Sequence, residues 1–108
     1  MPVAAVVNST FLAVHGGISP KLTHLDLINE IDRRVEPVAD ELLMDLLWSD
    51  PMKRTHAKTN DFSENENRGV SCRFGYGPLK KLLQKEKLTS LVRGHEMQQR
   101  GFKFHNWG

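Results

Sequence analysis

Short runs of small and β-branched residues, set between leucine-rich stretches at helical spacing, predict an α+β fold for this chain of 108 residues. Three observations carry that reading. The stretches at residues 3–7 and 11–14 are apolar and strand-like or turn-like, the leucines of "VADELLMDLLW" and "LKKLLQKEK" fall on one helical face, and "LTSLV" returns to a β-forming pattern near the end. The length suits one small domain, residues 1–108, and leaves too little chain for two that each bury a core.

The elements follow in order. "NST" separates the first two apolar stretches, so residues 3–7 read as a helix end or turn and Phe11 to Val14 as a buried strand that Gly16 and Gly17 terminate. "SPKLTHLDLINEIDRR" carries Leu22, Leu25, Ile28 and Ile31 at three-residue spacing, which predicts an amphipathic helix from Ser19-Pro20 to about Arg34, ahead of Pro37. A second helix places Leu42, Leu43, Leu46 and Leu47 inward and closes before Pro51. Residues 52–67 are polar and without period, and read as a long surface loop. After the glycine-rich "RGVSCRFGYGP" comes a short helix with Leu79, Leu82 and Leu83 inward, then "LTSLV" as a short buried strand and "FKFHNW" as a further one.

Composition narrows the function classes. With 39% hydrophobic and 26% charged residues, the chain matches an ordinary soluble domain, and no apolar run approaches the roughly 20 residues of a membrane helix. "MPVAAVVNST" is a poor secretory signal, having no basic segment before its apolar stretch. The lone Cys72 cannot form an internal disulfide, which favours a reducing compartment or is uninformative. Residues 1–52 hold three Lys/Arg against eight Asp/Glu, and residues 53–108 hold twelve against five. A basic half attracts phosphate-bearing partners or is merely a solvated face. Aromatics are few and no groove-reading motif is visible, so nucleic acid is not the expected partner.

Two histidines share a context. His15 and His95 each follow an apolar strand, beside a glycine, where the backbone turns. An imidazole at a sheet rim suits zinc, iron or manganese, and equally suits a plain hydrogen bond at a turn. Arg68, beside Gly69, is shaped either to grip a phosphate with two parallel hydrogen bonds or to sit at the surface. His24, His56 and His105 receive no role.

The ordered strings "FLAVHGGISP", "LLWSDP", "NRGVSCRFG" and "LVRGHE" together resemble the second half of the catalytic domain of the PPP family of metal-dependent serine/threonine protein phosphatases, over nearly the whole chain. Within it, "MPVAAVVNSTFLAVHGGISP", "DRRVEP" and the "HE" of "RGHE" are most similar to the calcineurin branch. The resemblance implies a metallophosphatase β-sandwich flanked by helices. It makes His15 and His95 ligands of one metal in a two-metal centre, of iron with zinc, or of manganese. It gives Arg68 the substrate phosphate, and sets Trp48 and Asp50 beside the site, lining the approach and its hydrogen-bond network. The implied reaction is attack of a metal-activated water on phosphoserine or phosphothreonine monoesters, without a phospho-enzyme.

Departures temper the expected activity. The family's "GDxHG", "GDxVDRG" and "GNHE" motifs, which supply the other metal ligands, a second arginine and a general-acid histidine, do not occur, and neither does its late active-site tyrosine. The reading is therefore of the C-terminal portion of a phosphatase domain, with Met1 at a truncation point, an incomplete metal site and no useful phosphoester hydrolysis by the chain alone. Gly94 stands where relatives commonly have alanine, a difference that packing should tolerate. Expected partners are phosphoprotein substrates and regulatory subunits, in the cytoplasm or nucleus. The competing readings are a non-catalytic remnant that keeps partner-binding surfaces, and a metallophosphatase acting on a small nucleotide polyphosphate.

Overall fold

A computed structural model describes residues 1–53, 55–56 and 59–105. Two three-stranded sheets and two helices meet around one core. In the first sheet β1 (Ala4–Val7) pairs antiparallel with β2 (Phe11–Val14), and β2 pairs in parallel with β6 (Ser90–Arg93). In the second, β3 (Asp50–Pro51) lies parallel to β5 (Cys72–Phe74), whose other edge takes antiparallel β4 (Phe62–Glu64). Leu12 and Val14 of the first sheet, Phe74 of the second, Leu46 of α1 (Glu41–Trp48) and Leu82 of α2 (Tyr76–Lys85) are buried together with Ile18 and Leu22.

The strand at Phe11–Val14 and the helix with Leu43 and Leu46 inward form as expected, although the strand buries only Leu12 and Val14 and leaves Phe11 38% exposed. Helix α1 starts at Asp40, whose carboxylate accepts the Leu43 N–H at 3.0 Å, and it stops where Ser49 turns to extended backbone ahead of Pro51. Its buried Asp45 is satisfied by two hydroxyls, Ser19 Oγ donating at 2.5 Å and Ser71 Oγ at 2.6 Å. Helix α2 begins three residues ahead of Leu79, with Pro78 tolerated in its first turn because no helical partner is needed there. Leu82 is buried, while Leu79 and Leu83 are half-buried.

Five expectations are corrected. Residues 4–7 form a strand in place of a helix end: Asn8 and Ser9 take positive φ (52° and 51°), and the Thr10 N–H returns to Val7 O, folding β1 back on β2 as a hairpin. The expected helix from Ser19 to Arg34 is only a 3-10 helix at Leu25–Glu30 between turns. The three-residue spacing fits this element as well as the expected one, because a 3-10 helix has three residues per turn, and Leu25, Ile28 and Ile31 pack against the core. The loop at 52–67 contains β4, which adds a strand to the edge of β5. Strand β6 alternates half-buried with exposed instead of being buried, and Val92 is 54% exposed. Residues 102–105 are irregular, and the rest of the expected last strand lies outside the described residues.

Candidate active site

Parallel pairing of β2 with β6 assembles the site. Val14 and Arg93 are register partners, so His15 and His95 leave the same end of the sheet, and the Gly94 N–H donates to His15 O at 3.1 Å, carrying the pairing one step past the strands. The two imidazole rings lie 4.9 Å apart between centroids, tilted by 55°. His95 holds a left-handed backbone (φ 64°), a locally strained conformation. Its side chain is 9% exposed, whereas His15 is open to solvent.

The two glycines after His15 permit a close approach by the protein itself. A Cβ on Gly16 would stand 2.7 Å from the Leu47 carbonyl carbon, and one on Gly17 would stand 2.2 Å from the Phe74 ring. The turn thus slides beneath the end of α1, where the Gly16 N–H donates to Leu46 O at 2.8 Å. That contact brings Trp48, the last residue of α1, edge-on to His95 with ring centroids 5.5 Å apart. Trp48 remains 39% exposed at the opening.

Asp50 lies below these rings, 1% exposed. Its Oδ2 accepts Arg68 Nε at 2.9 Å and Asn65 Nδ2 at 2.9 Å, and its Oδ1 accepts Arg93 Nη2 at 2.7 Å. His95 Nδ1 is 3.2 Å from Oδ1 but off the line of a hydrogen bond, so that buried nitrogen has no hydrogen-bond partner among the described residues. Burial alone would raise the Asp50 carboxyl; hydrogen bonds from Arg68 and Asn65 and the charges of Arg93 and Arg68 outweigh it and hold it down at about 2. Burial also lowers His95, with Arg68, His15 and Arg93 adding to the effect against the pull of Asp50, which favours the neutral imidazole. Neutral imidazole is the metal-binding form.

Arg68 is fixed at two points, Nε on Asp50 and Nη2 on His95 O at 3.0 Å, and its side chain is 27% exposed. The structure therefore brings His15, His95, Arg68, Trp48 and Asp50 into one cluster, with Asp50 as the buried anchor beneath the others. Sequence reasoning passed over Arg93, Asn65 and Glu96. Arg93 donates to Asp50, to Gly16 O and, through Nη1, to Glu96 Oε2 at 2.6 Å. Alternation in β6 was the available signal, because Arg93 shares the half-buried face with Leu91.

As cation donors, the two imidazoles fit a shared metal by their proximity, and with Nδ1 of His95 turned to Asp50, Nε2 is its remaining nitrogen. Among the described residues no group of three or more His, Cys, Asp or Glu is placed to hold a metal ion.

Residues 1–99 match the family described as calcineurin-like phosphoesterase. The chain is 34% identical over 103 residues to a Caenorhabditis elegans protein provisionally named serine/threonine-protein phosphatase C06A1.3, covering 95% of this chain and 27% of that one. It is also similar to a solved Saccharomyces cerevisiae structure of a serine/threonine phosphatase, described as similar to human phosphatase PP5, with TM-score 0.75 and 30% identity over 91% of this chain and 29% of the other. The chain thus spans less than a third of the length of either relative. No helix among the described residues is long and apolar enough to cross a membrane.

Proposed function

We propose, from the premise that this chain belongs to the calcineurin-like phosphoesterase family, that it supplies the phosphate-gripping arginine and two metal-binding imidazoles of a serine/threonine protein phosphatase site. The observation that carries this reading is the 4.9 Å approach of His15 and His95 over an aspartate that also anchors Arg68. Serine/threonine phosphatases are among the relatives, which favours phosphoserine and phosphothreonine monoesters in proteins as the substrate class.

Each side chain has a task it can perform in place. Arg68 is oriented before substrate arrives, because Asp50 and the His95 carbonyl hold Nε and Nη2, and its exposed edge is left to meet phosphoryl oxygens. Asp50 stabilises the charged guanidinium without being reached by solvent. Trp48 walls the opening beside His95. Divalent metals, when bound in such a centre, lower the pKa of a water and offset charge on the phosphate. His15 and His95 would hold one of them as neutral donors. Cys72 is not a candidate nucleophile: burial, with Asp45 nearby, pushes its thiol up to about 12.

Because the described donors number two imidazoles, hydrolysis of p-nitrophenyl phosphate by this chain with manganese is expected to stay at background. Binding is the direct test of the site. Phosphoserine peptide should shift the Arg68 and His95 resonances, and Arg68→Lys should abolish that response; binding unchanged by Arg68→Lys would contradict the reading. The same incomplete donor set favours, as second reading, a non-catalytic chain that retains partner-binding surfaces.

A further inference from the structure

A cavity of about 390 Å³ is lined among others by Lys53, Arg73, Glu96, Lys103 and His105. It touches the Asp50 and Arg68 cluster through chain neighbours: Pro51 follows Asp50, Asn67 precedes Arg68, and Glu96 holds Arg93. Three of its walls carry fixed positive charge. Arg73 extends from β5 and is held by Nη1 donating to Pro51 O at 3.1 Å, while Lys53 and Lys103 stand at the exposed rim. The lining carboxylate, Glu96, is paired with Arg93 at 2.6 Å, so among the described lining residues three cationic side chains face one carboxylate. Burial lowers His105 first, and Lys103 and Arg93 add to it against the opposing charge of Glu96.

The geometry points to this cavity as a subsite for an acidic side chain of the substrate, one or two residues from the phosphorylated one. The inference rests on the reading of Arg68 as the phosphate-binding group. A residue of extended chain spans about 3.3 Å, so a peptide whose phosphate meets Arg68 carries its next side chains over Pro51 and Asn67 into the cavity. A carboxylate there would meet Arg73 first, in a semi-enclosed setting where charge pairing is less screened than at open surface. The rim lysines add attraction on approach.

The test titrates the full chain with three peptides: phosphoserine flanked by glutamates, phosphoserine flanked by glutamines, and the glutamate peptide with unphosphorylated serine. The glutamate phosphopeptide should bind about three- to tenfold tighter than its glutamine counterpart at low salt, with the gap closing as salt rises. Arg73→Gln should erase the gap, and Lys53→Gln with Lys103→Gln, at exposed positions, should narrow it without risk to the fold. Equal affinity of the two phosphopeptides, or a gap that survives all three substitutions, overturns the subsite. Loss of phosphopeptide binding in Arg68→Lys, with or without such a gap, reports separately on the phosphate site.

Discussion

Arg93 and Arg68 grip opposite oxygens of one buried carboxylate: Nη2 of Arg93 is 2.7 Å from Asp50 Oδ1, and Nε of Arg68 is 2.9 Å from Oδ2. The pair joins the end of β6 to the turn at Asn65–Gly69, so the orientation of Arg68 depends on a carboxylate that is only 1% exposed.

Removing that carboxylate leaves two cations facing each other. Asp50→Asn should cost about 3–5 kcal/mol of stability, the range for a buried charge network stripped of one member. Arg68→Gln, at a position 27% exposed, should cost much less. Urea unfolding followed by far-UV circular dichroism checks both. Equal losses would mean that Asp50 anchors nothing.

The glycines at the site make opposite predictions. An alanine Cβ at Gly94 would meet no atom closer than 3.9 Å, His15 Nδ1, so Gly94→Ala should be neutral or raise stability by about 0.4–1 kcal/mol through the unfolded chain. At Gly17 the added carbon collides with the Phe74 ring and Ser49 Oγ, and Gly17→Ala should cost about 1–3 kcal/mol. Paired thermal melts read the difference in sign.

Cys72 should resist alkylation. With its thiol held up at about 12 by burial and then by Asp45, iodoacetamide at pH 8 should label the folded chain far more slowly than the urea-unfolded one. The linked effect on stability runs the same way. Well below pH 9 the thiol is almost wholly protonated in both states and adds little pH dependence; from there up to about pH 12 the unfolded thiol ionises ahead of the folded one, so stability falls as pH rises. Cys72→Ser should flatten that limb.

At the start of α1, Asp40→Ala removes the side-chain acceptor of the Leu43 N–H and should cost about 1 kcal/mol, measurable in the same urea titrations.

How far the sequence was readable varied with what each segment answers to. The Leu43/Leu46 helix announces itself because local pattern and burial agree, and Phe11–Val14 is legible as a strand though only Leu12 and Val14 of it are buried. "LTHLDLINEI" carries a true three-residue period, but a period of three marks one edge of a 3-10 helix as well as one face of an α-helix, and tertiary contacts at Leu25 and Ile28 decided it. The hairpin at Asn8–Ser9 was hidden because two non-glycine residues take left-handed backbone there. At the site, recurrence of a histidine after each of two apolar strands was visible, whereas their meeting required the parallel pairing of β2 with β6, a contact between distant segments that no local pattern encodes. Arg93 was legible only once β6 had a face.

If the proposed function holds, His15 and His95 act as one cation-facing pair beside Arg68. Titrating the ¹⁵N-labelled chain with Mn²⁺ and following imidazole signals tests it directly. The two rings should broaden together over the same range of metal, and His15→Ala should weaken the broadening at His95. Broadening at one ring alone, or at carboxylate-rich surface positions while both imidazoles stay sharp, would mean that the two histidines share no cation.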